Sequence, residues 1–484
     1  MCEMQFSIQR PRFLILLLAL EIQQMPDLPA IVTSNSAYQT FMSCNRKRYL
    51  AYEALNGTAT RGWERQRMSL PLSTGVWCHR VAQGLLLMKG LANDWDSATN
   101  PSLVRLAGSL GAWCKEMGLE GQKIPTEASE AIVACVRGYQ AEARERGLDL
   151  GLQMDGSLPE EKFVERTIEE QSALLEAFGW AFLRVRLPKL IGGYQEPITT
   201  GPESLVHGNL QGEYELVDVE REEYTLLSGD VGLQSRCDAV LRRKSDQRLF
   251  IYNLKTSGNP DKRWKDSFEV DAQLMTETLA VERRLGERVY GVIIDGFDKG
   301  MRVELDYTTL KERPKDGAEK WYGQRSRLIY GYKCEDIPGR PVLYDYEGTT
   351  RKGWGKFAVW QEQFAQAPVG MSPVEYWVNW LPVEQVEAAF ITLPPIMRSD
   401  RAVESAVRQM VSVETRIRDM RTLIEDLPSD PNVLDRAFPQ NFKSCVYPSR
   451  CGFYELCHGS AGDDPASNGF QPRTSNHPVL EGGE

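Results

Sequence analysis

Histidine is scarce in this chain, four among 484 residues, so any metal site has to draw mainly on carboxylates or cysteines. Positive charge is also short. Lys and Arg total 57 against 67 Asp and Glu, a formal net charge of −10, so no global basic field draws the protein to nucleic acid. Contact with DNA then depends on local clusters: Arg46, Lys47 and Arg48; Arg242, Arg243 and Lys244; Lys262 and Arg263 with Trp264 and Lys265. Taken singly, a solvated face is the plainer reading of each. No G-x-x-x-x-G-K-[ST] phosphate loop is present, which excludes a helicase motor of that type. Long apolar runs are missing too. The N-terminal candidate, 13–22, is apolar apart from Glu21 but falls short of the roughly 20 residues a membrane span needs. Arg10 and Arg12 precede it as in a secretory signal, yet no small-residue cleavage site follows. It reads as a docked helix, or as sequence upstream of a natural start at Met25.

Ten cysteines in so long a chain do not make a secreted disulfide scaffold. Cys78, Cys114, Cys135, Cys237 and Cys334 are scattered singly and read as small buried hydrophobes. The expected setting is cytoplasmic, with no membrane partner. The hydrophobic fraction of 42% and charged fraction of 26% are those of an ordinary globular protein, long enough for two to four domain-sized units.

Periodicity sketches the organisation. Residues 34–55 read as a helix with capping-box spacing from Ser36 to Gln39, and a second helix follows Ser73, Thr74 and Gly75. Residues 101–190 read as mostly helical, and 191–210 as a loop rich in Gly, Pro, Thr and Gln. Short alternating or apolar runs predict strands at 214–219, 224–227, 235–242, 249–254, 289–295 and 328–332. Helices are predicted at 271–285, 374–388 and 400–424. Residues 460–484 lack periodicity and read as a disordered polar tail. Strand, strand, strand, helix, strand is the order of a mixed α/β core.

The chemistry concentrates in 235–257. Asp238 sits in what reads as the first of two strands, and Lys255 near the end of the second. Period-two alternation puts residues 253 and 255 on one face. Phosphodiester hydrolysis needs a metal to polarise the phosphoryl oxygen and acidify water; magnesium prefers one or two carboxylates, and a nearby lysine can orient the water or stabilise developing charge. From spacing alone, solvated Asp and Lys side chains are as good a reading.

With their flanks, these residues resemble the RecB-type branch of the PD-(D/E)XK nucleases, found in recombination nucleases, CRISPR-associated exonucleases and phage proteins. Gly75 to His79 fits the family's G-x-x-x-H, whose histidine is a metal ligand. Glu220 falls where a glutamate often begins the sheet, with Glu222 and Glu223 as alternatives. Asp238 fits the central metal-binding aspartate, Lys255 the lysine of the acid-x-lysine segment, and Gln273 the glutamine of the following helix. The likeness covers roughly residues 34–457, loosely over 101–190 and 300–435. It implies a restriction-endonuclease-like mixed sheet flanked by helices, a magnesium or manganese ion on His79, Glu220 and Asp238, and DNA as substrate. A helicase or recombination protein is the implied partner, and recombination, repair or genome processing the implied role.

Asn253 departs from the pattern. It offers a neutral amide where the family has Asp or Glu. Three accounts are open: the metal binds without that acid, another acid such as Glu269 or Asp271 reaches the site, or the domain is a non-catalytic DNA-binding or scaffolding subunit.

Cys445, Cys451 and Cys457 follow C-x5-C-x5-C. In the family subset that carries an iron–sulfur cluster, one N-terminal cysteine joins three C-terminal ones, and Cys44 stands at that place. The resemblance thus implies a [4Fe–4S] cluster on these four. Zinc is the alternative, although the usual knuckle spacing of two to four residues is absent. The expected division is 1–30 as an extension, 31–100 as helices carrying Cys44 and the G-x-x-x-H, and 101–210 as a helical insertion and loop. The catalytic α/β core then spans 211–300, a mixed region 301–440, the cysteine cluster 441–459 and the tail 460–484.

Overall fold

The computed structural model describes residues 31–473, apart from 56–60, 94–100, 120–124, 126, 150–160, 194–211, 301, 307–319, 325–327, 329–370, 382, 431, 447–450 and 459–463. The extension at 1–30, most of the loop at 191–210 and the strand expected at 328–332 (Leu328 apart) therefore lie outside the described residues.

The chain enters as β1 (Ile31–Ser34) and α1 (Asn35–Ser43). Ser34 caps α1, accepting from the Ala37 N–H at 3.2 Å, two residues earlier than the Ser36 box predicts. The predicted 34–55 helix is not continuous. It breaks at Cys44, whose backbone is extended (φ −165°, ψ 121°), before one further turn at Asn45–Arg48 and a wider turn at Tyr49–Glu53. Helices α2 (Leu70–Asn93), α3 (Pro101–Glu116), α4 (Ala128–Arg146) and α5 (Glu161–Ala181) follow in the stretches read as helical, although α2 starts at Leu70, ahead of the start expected after Ser73, Thr74 and Gly75.

Strands β2 (Tyr214–Val219), β3 (Glu222–Ser228), β4 (Val231–Arg236), β5 (Ala239–Arg243) and β6 (Leu249–Ser257) come next, then α6 (Lys262–Ser267), α7 (Ala272–Leu285) and β7 (Val289–Asp298). After them, β8 (Phe390–Thr392) adds an edge strand, and α9 (Asp400–Asp426) is the longest described helix. The helix expected at 374–388 is two, α8 (Pro373–Trp380) and a short turn at Val383–Glu387.

Five strands form one mixed sheet in the order β8-β7-β6-β5-β2. The β6–β7 pair is parallel and the other three pairs are antiparallel. Both faces are buried. Phe250, Tyr252 and Leu254 join the core shared with α2 to α5. Leu249 and Ile251 face the other way and pack with Leu274 and Val281 of α7. That two-sided burial explains why β6 is an unbroken apolar run up to Asn253.

The 235–242 stretch is not one strand. β4 belongs to a second sheet, ordered β1-β4-β3, and β5 to the five-stranded one. Cys237 and Asp238 are the step between them. Continuous alternation hid that step, because both halves have strand character. The polar tail also differs. Phe470–Pro472 pairs antiparallel with Trp63–Arg65, and Phe470 is fully buried beneath the Arg65 guanidinium. One aromatic residue anchors a segment whose composition reads as disordered.

Candidate active site

Three segments far apart in sequence bring His79, Glu220 and Asp238 together, with one ligand atom from each lying within 4.8 Å of the others. His79 comes from α2, and its position depends on Gly75 one turn before. A Cβ on Gly75 would lie 2.8 Å from Thr256 Oγ1 of β6, so glycine lets the helix rest directly on the strand. His79 Nδ1 stands 3.0 Å from Asp238 Oδ1.

Both acids occupy points where the chain leaves one sheet for the other. Glu220 lies between β2 and β3 in the left-handed region (φ 47°), a conformation costly for a non-glycine residue and often retained at functional sites. Its N–H donates to the Asp238 carbonyl at 3.0 Å, locking the two crossing points together. Asp238 Oδ2 accepts from the Leu254 N–H at 2.5 Å, tying the acid to β6.

The two carboxyls titrate as opposites. Burial, reinforced by Asp238, pushes Glu220 well above the ordinary glutamate range, against the pull of Arg236 at 2.9 Å. Burial also opposes ionisation of Asp238, but His79, Lys255 and the Leu254 N–H outweigh it and hold the carboxyl low. An imidazole and two carboxylates this close are a donor set that could hold a hard divalent ion.

On the α7 side of β6, Lys255 Nζ lies 3.3 Å from Gln273 Oε1, so the predicted lysine and glutamine do meet. Asn253 is buried and donates through Nδ2 to Glu277 Oε2 at 2.7 Å. Gln273 Nε2 donates to Glu277 Oε1, also at 2.7 Å. Burial pushes Glu277 up to about 7, against Lys255 and the two amide donors. Sequence reasoning missed Glu277. The signal was present, since Gln273 and Glu277 are four apart on one helix face. The acids proposed instead are elsewhere: Asp271 caps α7 by accepting from the Gln273 N–H at 2.8 Å, and Glu269 is exposed.

The basic clusters divide. Arg46 and Arg48 are buried, Arg46 on Asp435 and the Phe438 carbonyl and Arg48 between Glu53 and Glu414, so that cluster is a structural tether. Arg242 and Arg243 pair with Glu287 and Asp246. Lys262, Arg263 and Lys265 stay exposed on α6, just beyond the end of β6. Trp264 fixes that helix by covering Gly296, where a Cβ would lie 2.4 Å from the indole.

The four predicted cysteines converge in a second place, and none is in a disulfide. Asn441 donates its N–H to Cys44 Sγ at 3.4 Å and its side-chain amide to the Ser43 carbonyl at 2.8 Å. The Cys451 N–H donates to the Cys445 carbonyl at 2.9 Å. Burial pushes Cys457 up to about 11; Arg46 opposes this, and the Cys451, Cys44 and Cys445 thiols add to it.

Among the described residues no helix is long and apolar enough to cross a membrane. In comparisons with known proteins, no family model matches the chain and no curated protein matches it.

Proposed function

We propose that the chain is a metal-dependent deoxyribonuclease of the PD-(D/E)XK RecB type, acting in recombination, repair or genome processing with a helicase or recombination partner. The observation that carries this reading is the convergence of His79, Glu220 and Asp238 beside Lys255, from α2, two sheet crossings and β6. The mixed sheet covered by α2 on one face and α7 on the other supports a restriction-endonuclease-like core.

In this account His79, Glu220 and Asp238 would hold a magnesium or manganese ion, which when bound would supply polarisation of the phosphoryl oxygen and a lowered pKa for the attacking water. Lys255 orients that water and meets the charge that develops on phosphate. The exposed Lys262, Arg263 and Lys265 on α6 guide the DNA backbone toward the end of β6. Asn253 is the observation that favours the second reading, a non-catalytic DNA-binding or scaffolding subunit.

The test is degradation of single- and double-stranded DNA with magnesium or manganese, against a chelator. Native protein should cleave only with metal. Lys255→Ala should cut turnover by about 10²- to 10³-fold while leaving metal affinity within a few-fold, the signature of transition-state stabilisation. Tight DNA binding with no cleavage by native protein at any metal concentration would favour the scaffold reading.

For the four cysteines the proposed group is a [4Fe–4S] cluster, with zinc as the alternative that their C-x5-C-x5-C spacing disfavours. The N–H donors on Cys44 and on Cys451, the latter from Phe453 at 3.5 Å, suit cluster thiolates. Such a group would close a loop about 400 residues long, which favours the folded state. Anaerobically purified protein should be brown and hold iron and sulfide, and Cys451→Ala should lose both colour and iron. A colourless protein holding stoichiometric zinc would reject the cluster.

A further inference from the structure

Asn253 leaves a gap where the reaction class wants charge, and the structure puts a carboxylate one hydrogen bond away. Glu277 reaches from α7 to the face of β6 that carries residues 253 and 255. Its two oxygens take one amide N–H each, from Asn253 and Gln273, both at 2.7 Å. The Lys255 ammonium lies on the same Gln273 side chain at 3.3 Å.

We propose that Glu277 is a third acid of the metal and lysine site, beside Glu220 and Asp238, and that Asn253 and Gln273 are the positioning residues that aim it. The inference rests on the nuclease reading and deepens it. The acid has moved from strand to helix, and the residue it left has become its hydrogen-bond donor.

The plainer account is a structural hydrogen bond inside the fold. That account explains the contact but not the choice of an acid. Glu277 is 2% exposed, and no arginine is among its hydrogen-bond partners. Burying a carboxylate costs far more than burying an amide of the same shape. Glutamine at 277 could hold both neighbours by rotating their amides, without that cost. An acid in that place, beside Lys255 and near Asp238, is explained when it serves the ion proposed for His79, Glu220 and Asp238.

The exchange can be tested as a cycle, with manganese affinity measured by calorimetry and cleavage measured separately. Glu277→Gln should weaken manganese binding by about 10- to 100-fold, and cleavage in proportion, with an unchanged melting temperature. Asn253→Asp should bring no gain, because it sets two carboxylates within a hydrogen bond of each other. The double variant, Asn253→Asp with Glu277→Gln, returns the acid to the strand and should recover both quantities to within about threefold of native. The inference is overturned if Asn253→Asp alone raises affinity or cleavage, if Glu277→Gln changes neither, or if the double variant is no better than Glu277→Gln. In those outcomes a native protein that still binds manganese and cleaves DNA keeps the nuclease reading intact. A native protein that does neither removes both.

Discussion

Asp238→Ala is expected to abolish metal-dependent cleavage, by on the order of 10³-fold, the several kcal/mol that a metal-held charge contributes in such a transition state. Three losses coincide in this one residue. The site loses the carboxyl held most firmly ionised, His79 loses the oxygen 3.0 Å from its Nδ1, and the Leu254 N–H loses its acceptor. The last of these acts on the fold, because a buried donor left without an acceptor costs about 1–3 kcal/mol. Asp238→Asn separates the effects. It keeps an oxygen for Leu254 and removes the charge, so it should melt like the native protein and still be inactive. Circular dichroism melting beside the cleavage assay reads both. Activity in Asp238→Asn within about tenfold of native would remove Asp238 from the metal site.

Arg48→Met carries the largest expected effect on stability. Arg48 donates to Glu53 Oε1 at 2.9 Å and to Glu414 Oε2 at 3.2 Å, and all three side chains are buried. Thr33 of β1 donates to Glu414 Oε1 at 2.6 Å, and Arg421 of α9 donates to Glu53 Oε2 at 3.2 Å. Removing the Arg48 guanidinium leaves Glu414 buried without a cation and Glu53 with Arg421 alone, a loss of about 3–5 kcal/mol for breaking a buried pair from one side. The network joins β1, the segment after Cys44 and α9, so the variant should also loosen the seat of Cys44. Adding Glu414→Gln should return part of the lost melting temperature, because one uncompensated charge is then gone. An unchanged melting temperature in Arg48→Met would show that water reaches these groups.

Much of this arrangement was legible in the sequence. Four-residue spacing puts Gly75 and His79 on one side of a helix, and alternation puts 253 and 255 on one face of a strand. What escaped has a common physical cause: the deciding partner lies far away along the chain. Arg46 and Arg48 look like a solvated basic run until Asp435, Glu53 and Glu414 are brought to them. Asp238 looks like a mid-strand residue because the chain keeps strand character while changing sheets. Glu220 gives no sign of its left-handed backbone, since only glycine and asparagine commonly advertise that conformation. Glu277 sits within reach of a periodicity argument, but its role becomes visible only when α7 is laid against β6.

Asn253 accordingly changes meaning. At sequence level it is a missing ligand. In the fold it is a buried donor that holds Glu277, the acid proposed to serve the site in its place.

The most direct measurement of the central claim is a crystal of the native protein soaked in manganese, with anomalous scattering recorded at the manganese edge. The account predicts one peak coordinated by His79, Glu220 and Asp238, and its absence in Asp238→Ala. No peak there in well-diffracting native crystals at millimolar manganese, with the three side chains still hydrogen-bonded to one another, would contradict it.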